Sequence, residues 1–373
     1  MLKVGFVGWR GMVGSVLMQR MISENDFNRI EPTFFSTSDV GGESLKVKGD
    51  SLKLLDAYDL DNLGDLDCIV STQGSDYTDN ILPKLRKNGF NGYWLDASST
   101  LRMNDDSVII LDSVNRSLID KALNSGIKNY IDGNCTVSLM IMAIAGLLKN
   151  NLVEWVSTMT YQAASGGGAK CMLELLKQTE GLSKGIYSFL ANPETNILDI
   201  DKEVKNILSN NVLPTHSFGV PLVGNVIPWV DVQVADGQTK EEWKAQAEGN
   251  KILGLTGNNI IPIDGVCVRV GSLRCHSQAL TIKLKDNISL EHIVQLIKNG
   301  HQWIKYVENN KSDTLKYLNP VAVSNTLDIA VGRLRKLKIG PEYLTLFTVG
   351  DQLLWGAAEP IRRMLNIIID YHK

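Results

Sequence analysis

The chain has 373 residues, 44% of them hydrophobic and 21% charged, with a formal net charge of -3. Those values fit a globular protein long enough for two domains, and they exclude the dense basic character of a nucleic-acid-binding surface. The longest apolar run, residues 139–148, is about half the roughly 20 residues a membrane span requires, so no membrane partner is expected.

The chain enters a strand at once, over residues 4–7, so no secretory leader is expected. Gly8, Gly11 and Gly14 then lead into a helix over 12–22. Glycines at this spacing, after a strand and before a helix, permit a tight turn and close approach to a pyrophosphate held by helix N–H groups. The loop Gly8-Trp9-Arg10-Gly11-Met12-Val13 is therefore a candidate dinucleotide site. A second strand over 31–36 ends in Ser36-Thr37-Ser38, where an NAD enzyme usually carries a carboxylate for the ribose. Hydroxyls with Arg10 nearby favour NADP; Asp39 is the one residue that argues the other way. A third strand over 68–72 ends at Gln73-Gly74, a natural contact for the nicotinamide ribose. A helix over 77–88 and strands over 93–97 and 108–111 continue a repeated strand–helix pattern, so a parallel doubly wound sheet is expected. Arg102, just past the 93–97 strand, is placed to grip an anion.

The segment Asp132-Gly133-Asn134-Cys135-Thr136-Val137-Ser138 joins a strand to an apolar helix. A helix N-terminus presents free N–H groups and partial positive charge, so the pattern predicts a lowered thiol pKa at Cys135 and a place for an oxyanion. A buried structural cysteine is the competing reading. A strand over 155–162 follows, then Gly166-Gly167-Gly168 and a helix over 169–178. Glu241 and Lys244 open a further helix at i, i+3, which on spacing alone reads as a solvated surface ion pair. Strands over 266–270 and 278–284 follow, and the stretch 269–278 holds Arg269, Arg274 and His276. Arginine binds a carboxylate through two parallel hydrogen bonds, and histidine transfers protons near neutral pH. The remaining histidines sit in polar or helical contexts. Residues 350–369 read as one helix with Leu353, Leu354, Ala357, Ile361, Leu365 and Ile368 on a single face, suited to docking on the first domain. The five cysteines are widely spaced, with no metal-site spacing and no disulfide framework, which points to a reducing cytoplasm and no metal.

Taken jointly, residues 7–17, 133–140, 161–169, 241–244, 268–278 and 349–360 resemble those of the aspartate-β-semialdehyde dehydrogenases of the enterobacterial type, over essentially the whole chain. The resemblance implies an α/β architecture. A Rossmann-like dinucleotide-binding domain would span residues 1–133 and 357–373. An α+β catalytic and dimerisation domain, of the kind shared with glyceraldehyde-phosphate dehydrogenases, would span 134–356. It implies a homodimer that interconverts L-aspartyl 4-phosphate and NADPH with L-aspartate 4-semialdehyde, phosphate and NADP, in lysine, methionine and threonine biosynthesis. Position by position, it makes Cys135 the acyl-thioester nucleophile and His276 the acid/base, with Gln162 orienting the intermediate. It gives Arg269 the substrate carboxylate, Glu241 its amino group, and Arg102 and Lys244 the phosphate. Gly11, Met12, Thr37, Ser38, Gln73, Ser165, Gly167, Pro193 and Gln352 would line the NADP(H) site. Two departures stand out: Asp132-Gly133 where two glycines are expected before the Asn-Cys pair, and Ser113 where a proline is expected. A carboxylate at 132 threatens to raise the thiol pKa unless it points to solvent.

Overall fold

Apolar runs too short for helices, bounded by turn residues, become the central strands. The computed structural model describes residues 1–47 and 49–373. Among them, β1 (Leu2–Val7), β2 (Ile30–Ser36), β3 (Leu55–Asp56), β4 (Cys68–Ser71), β5 (Tyr93–Asp96), β6 (Ser107–Ile110) and β7 (Asn129–Asp132) form one sheet in the order β3-β2-β1-β4-β5-β7-β6. Every pairing in it is parallel. The strand order reverses between β1 and β4, and that switch point is where an open α/β sheet offers a ligand crevice. Gly8 follows β1 and Gln73 follows β4. A Cβ on Gly8 would sit 2.6 Å from Gln73 N, and Gly8 has φ +78°, so both the approach and the turn require glycine.

The second sheet is mixed, in the order β12-β13-β14-β11-β8-β10-β9. Its strands are β8 (Val153–Gln162), β9 (Val226–Ile227), β10 (Ile263–Val270), β11 (His276–Leu284), β12 (Ile304–Tyr306), β13 (Ile329–Lys336) and β14 (Tyr343–Gly350). One face packs on the helix Cys135–Ala143, whose residues from Thr136 onward are all buried. The other face is open and carries large apolar side chains: Met159, Tyr161 and Val266 remain 38%, 38% and 39% exposed.

The C-terminal segment differs from the single helix expected over 350–369. Strand β14 runs to Gly350, and residues Leu354–Ala358 form a π-helical turn. The α-helix starts only at Glu359, where Pro360 occupies its first turn. Asp351 separates strand from turn, accepting the Asn325 and Leu353 N–H groups and pairing with Arg274. The helix Glu359–Tyr371 then packs Ile361, Met364, Leu365 and Ile368 into the core of the first sheet. Arg362 joins it there to Asp26 and Glu359, each at 2.8 Å, and Arg363 reaches Asp112 at 2.6 Å. The helix expected over 169–178 extends much further, as Ala169–Ala191. No helix among the described residues is long and apolar enough to cross a membrane.

Candidate active site

Asn134 caps the helix Cys135–Ala143. Its Oδ1 accepts the Thr136 and Val137 N–H groups at 3.0 and 3.2 Å, the pattern an N-cap residue supplies. Its amide nitrogen donates to both oxygens of Glu241 at 3.0 Å, and its backbone N–H donates to Glu248 Oε2 at 2.7 Å. The residue before Cys135 is thus held from three sides. On the far side, a Cβ on Gly356 would come within 2.4 Å of Cys135 Cβ.

Glu241, Lys244 and Glu248 lie on one face of the helix Lys240–Leu253. All three are buried, so the Glu241–Lys244 pair, 3.0 Å apart, is not the solvated surface pair its spacing suggests. Gln162, at the end of β8, donates to Glu241 Oε1 at 3.2 Å, and Lys244 also reaches Asp231 at 2.8 Å. Burial opposes the charge on Lys244, yet Glu241 and Asp231 outweigh it and raise its pKa. Arg102 is buried as well, donating to Glu248 Oε1 at 3.1 Å and to the Asp132 carbonyl at 2.7 Å. Burial works against it too, and Glu248 foremost keeps it charged.

Ala163 organises the other half. Its N–H donates to His276 Nδ1 at 3.0 Å, and its carbonyl accepts from Arg269 Nη1 at 2.8 Å. One residue therefore aims two side chains from neighbouring parts of the sheet. A Cβ on Gly166 would lie 2.8 Å from both Arg269 Nη1 and His276 Nε2, so the two border one gap that glycine leaves open. Burial and Arg269 push the His276 pKa down to about 3. Arg274, by contrast, is taken up by Asp351 at 2.9 Å.

The Cys135 thiol runs against the expectation of a lowered pKa. Burial first and Glu241 second push it up to about 12, against the pull of Arg269, Arg102 and Lys244. Asp132 does not point to solvent: it is 1% exposed, and its Oδ1 has no partner among the described residues. Burial lifts its carboxyl well above the usual range, Arg102 pulls it down, and Glu248 adds to the rise.

Gly8, Arg10, Gly11, Thr37, Ser38 and Gln73 line a cavity of about 290 Å³ at the switch point, with Trp9, Phe35 and Ser36. Met12 and Val13 begin the helix beside it without lining it. Arg10 donates to Ser36 Oγ at 2.8 Å and pairs with Asp39 at 2.7 Å. Asp39 is therefore the partner of Arg10, and the lining includes the hydroxyls of Ser36, Thr37 and Ser38 with the Arg10 guanidinium, a set that fits a 2′-phosphate. Gln352 bonds Ser165 Oγ and accepts the Cys275 N–H at 2.8 Å, which places both next to His276; Gly167 lies two residues past Ser165. Pro193 is exposed in the turn after Ala169–Ala191, a 23-residue helix and so about 34 Å long. Glu248, Ala163 and Gly356 were not singled out in the sequence. Only Glu248 carried a signal, four residues after Lys244 on the same helical face.

Comparison with known proteins bears on the family and the fold. The family profile "Semialdehyde dehydrogenase, NAD binding domain" matches residues 3–122, and "Semialdehyde dehydrogenase, dimerisation domain" matches residues 144–355. The structure of aspartate semialdehyde dehydrogenase from Francisella tularensis is 52% identical, with a TM-score of 0.94 over 99% of this chain and 100% of that one. Aspartate semialdehyde dehydrogenase II from Vibrio cholerae, solved with ASA, is 20% identical with a TM-score of 0.81 over 100% and 99%. The Candida albicans aspartate semialdehyde dehydrogenase, solved with NADP, is 15% identical with a TM-score of 0.66 over 100% of each chain. The last two share the fold.

Proposed function

The chain belongs to the aspartate-semialdehyde dehydrogenase family, and on that premise we propose that it reduces L-aspartyl 4-phosphate to L-aspartate 4-semialdehyde and phosphate, reversibly, through a thioester on Cys135. The reaction serves lysine, methionine and threonine biosynthesis. Bound NADPH supplies the hydride. Arg10 with Ser36, Thr37 and Ser38 would hold its 2′-phosphate, and the backbone N–H groups at the start of Met12–Ser23 its pyrophosphate.

Each protein group has a task that its chemistry fits. Cys135 attacks the acyl phosphate, forming a carbon–sulfur bond as the carbon–oxygen bond to phosphate breaks. Arg102 and Lys244 are the cations for the phosphate. Arg269 takes the α-carboxylate with its fork, and Glu241 the α-ammonium. Gln162 orients the acyl group from a position against Glu241. The first sheet, completed by the C-terminal helix (1–133 with 357–373), would carry the cofactor, and residues 134–356 the chemistry and the dimer contact. Met159, Tyr161 and Val266 on the open face of the second sheet suit burial by a second copy in the homodimer. The five cysteines are free thiols, which supports a cytoplasmic location.

The observation that carries the reading is Glu241: a buried carboxylate beside the nucleophile loop, bonded at once by Asn134, Gln162 and Lys244. A substrate with an acetylated, uncharged amine would have no use for it. The test is NADPH absorbance from purified protein with NADP and L-aspartate 4-semialdehyde, with and without phosphate. Phosphate-dependent NADPH formation is expected. Formation only from the N-acetylglutamyl analogue, or none from folded protein, refutes the assignment.

A further inference from the structure

We propose that Asp132 is a positioning residue for phosphate: while its carboxyl group is neutral Arg102 can hold phosphate, and when it ionises at alkaline pH that hold weakens. The inference rests on the reading above that makes Arg102 a cation for the phosphate. None of the tasks given there falls to Asp132, yet it ends β7 just ahead of Cys135.

The fold fixes where this carboxyl group stands. β7 is paired on both sides, Ile131 with Asp96 of β5 and Asp132 with Ile110 of β6. A Cβ on Gly133 would lie 2.8 Å from Ser138 Oγ, so the chain beyond the strand is closely packed as well. The Asp132 side chain is buried, and its Oδ1 has no partner among the described residues. An ionised carboxylate accepts hydrogen bonds at both oxygens, and burying one without them is costly. The surroundings therefore favour the neutral acid.

Arg102 links this group to the phosphate. Its Nε–H donates to the Asp132 carbonyl at 2.7 Å, which lays the guanidinium against the end of β7, and its Nη1 donates to Glu248 Oε1 at 3.1 Å. Burial is the largest influence on both groups, and against it Arg102 and Asp132 each favour the other's charge. The remaining groups facing Asp132 are Glu248 on Lys240–Leu253 and Asp96 at the end of β5, which oppose its ionisation, and the Gly133 N–H, which favours it.

The sum of charges gives the direction. With Asp132 neutral, Arg102 and Glu248 cancel. With Asp132 ionised, the three carry a net negative charge, which repels the phosphate that Arg102 would grip. A carboxyl group ionises as pH rises, so phosphate capture is full below its folded-state pKa and declines above it. Lys244 answers to Glu241 and Asp231 instead, so capture weakens without vanishing.

The test is the phosphate dependence of NADPH formation by the full-length enzyme with NADP and L-aspartate 4-semialdehyde, from about pH 6 to 9, well above the range in which an ordinary aspartate titrates. Wild type is compared with D132N, which is uncharged at every pH and nearly the same shape. The titrations of phosphate and of the other site groups then cancel in the ratio. Across that range the wild-type KM for phosphate should rise about tenfold relative to that of D132N, while the ratio of kcat values stays nearly constant, the signature of a binding effect. A residue that served only the packing of β7 would leave the two KM profiles parallel, and parallel profiles overturn the proposal. D132G carries the same prediction and replaces D132N if that variant does not fold. Infrared difference spectra of wild type minus variant at about pH 6 should contain the carbonyl band of a protonated carboxyl group, since an ordinary aspartate is ionised there; absence of that band overturns the proposal too. The failures are distinguishable. Wild-type protein without phosphate-dependent turnover of the semialdehyde refutes the function, whereas parallel profiles in an active enzyme refute the role of Asp132 alone.

Discussion

Gly356→Ala should disable the nucleophile without touching any chemical group. The Cβ it adds would stand 2.4 Å from Cys135 Cβ and 2.6 Å from its Cα. Carbon atoms prefer roughly 3.5–4.0 Å, so the two segments must part by about 1 Å. Neither side gives easily. Cys135 starts a helix whose next eight residues, Thr136–Ala143, are buried, and Asn134 before it is tied to Glu241 and Glu248. Gly356 lies in the π-turn with Leu354, Trp355, Ala357 and Ala358 buried around it. A displacement of about 1 Å at a reacting group costs about 10²-fold in rate, and the strain should cost about 1–3 kcal/mol of stability. The assay is kcat for phosphate-dependent NADPH formation, with the thermal midpoint and the NADP Kd measured alongside. The expected result is kcat down about 10²-fold, a lowered midpoint and an unchanged Kd. A kcat within about threefold of wild type at an unchanged midpoint would refute the reasoning, because the chain would have absorbed the methyl group without moving the thiol.

Cys135→Ala should abolish turnover and leave NADP binding intact, checked by fluorescence titration; residual turnover would rule out the thioester. Ser38→Asp should shift kcat/KM from NADP toward NAD by placing a carboxylate at the hydroxyl end of β2, and an unchanged ratio would mean that the 2′-phosphate is read elsewhere. His301 has its pKa pushed down to about 4 by burial, and its ring bonds the Met142 carbonyl at 3.0 Å. The unfolded chain therefore binds its proton first, below the ordinary histidine value of 6.5, so stability should fall as pH drops from there to about 4, by about 3 kcal/mol at most from this residue. Urea unfolding at pH 7 and about pH 4.5 should show a smaller loss for His301→Asn than for wild type, and equal losses would clear His301 of the effect.

The first sheet was legible because its signals are local. Each strand is a short apolar run, and the loop at Gly8 pairs a turn with a close approach that glycine alone permits. Cys135 was legible for the same reason, as a polar interruption between strand and apolar helix. The direction of its pKa was not. A helix N-terminus contributes about 0.3–1 kcal/mol to an anion, whereas a rise from 9.0 to about 12 corresponds to about 4 kcal/mol. Burial by residues far apart in the chain decides, and the local pattern does not contain it. Glu241 and Lys244 show the same blindness. A Glu–Lys pair at i, i+3 looks alike whether its face meets water or, as here, the Asn134 loop and Gln162. The end of the chain was misread for a different reason. The apolar spacing over 350–369 carries through the π-turn, and the carboxylate that breaks it, Asp351, is engaged by Asn325 and Arg274, which the window does not include.

Asp132 shows how the site tolerates a carboxyl group where the resemblance leads one to expect glycine. Were it ionised, it would add a third buried negative charge to Glu241 and Glu248 around a thiol that must become an anion. Arg102 is the cation that pulls its pKa down, and Arg102 gives its guanidinium to Glu248 and its Nε–H to the Asp132 carbonyl, not to the side chain. The carboxyl group therefore has burial to overcome with its counter-ion already shared, and its pKa lies well above the usual range. In the neutral form it adds little repulsion, and the causes that raise the thiol are burial and Glu241. Glu248 meanwhile bonds both Arg102 and the Asn134 N–H. The cation assigned to the phosphate and the residue that precedes the nucleophile thus share one carboxylate. A shift of either is therefore felt by the other.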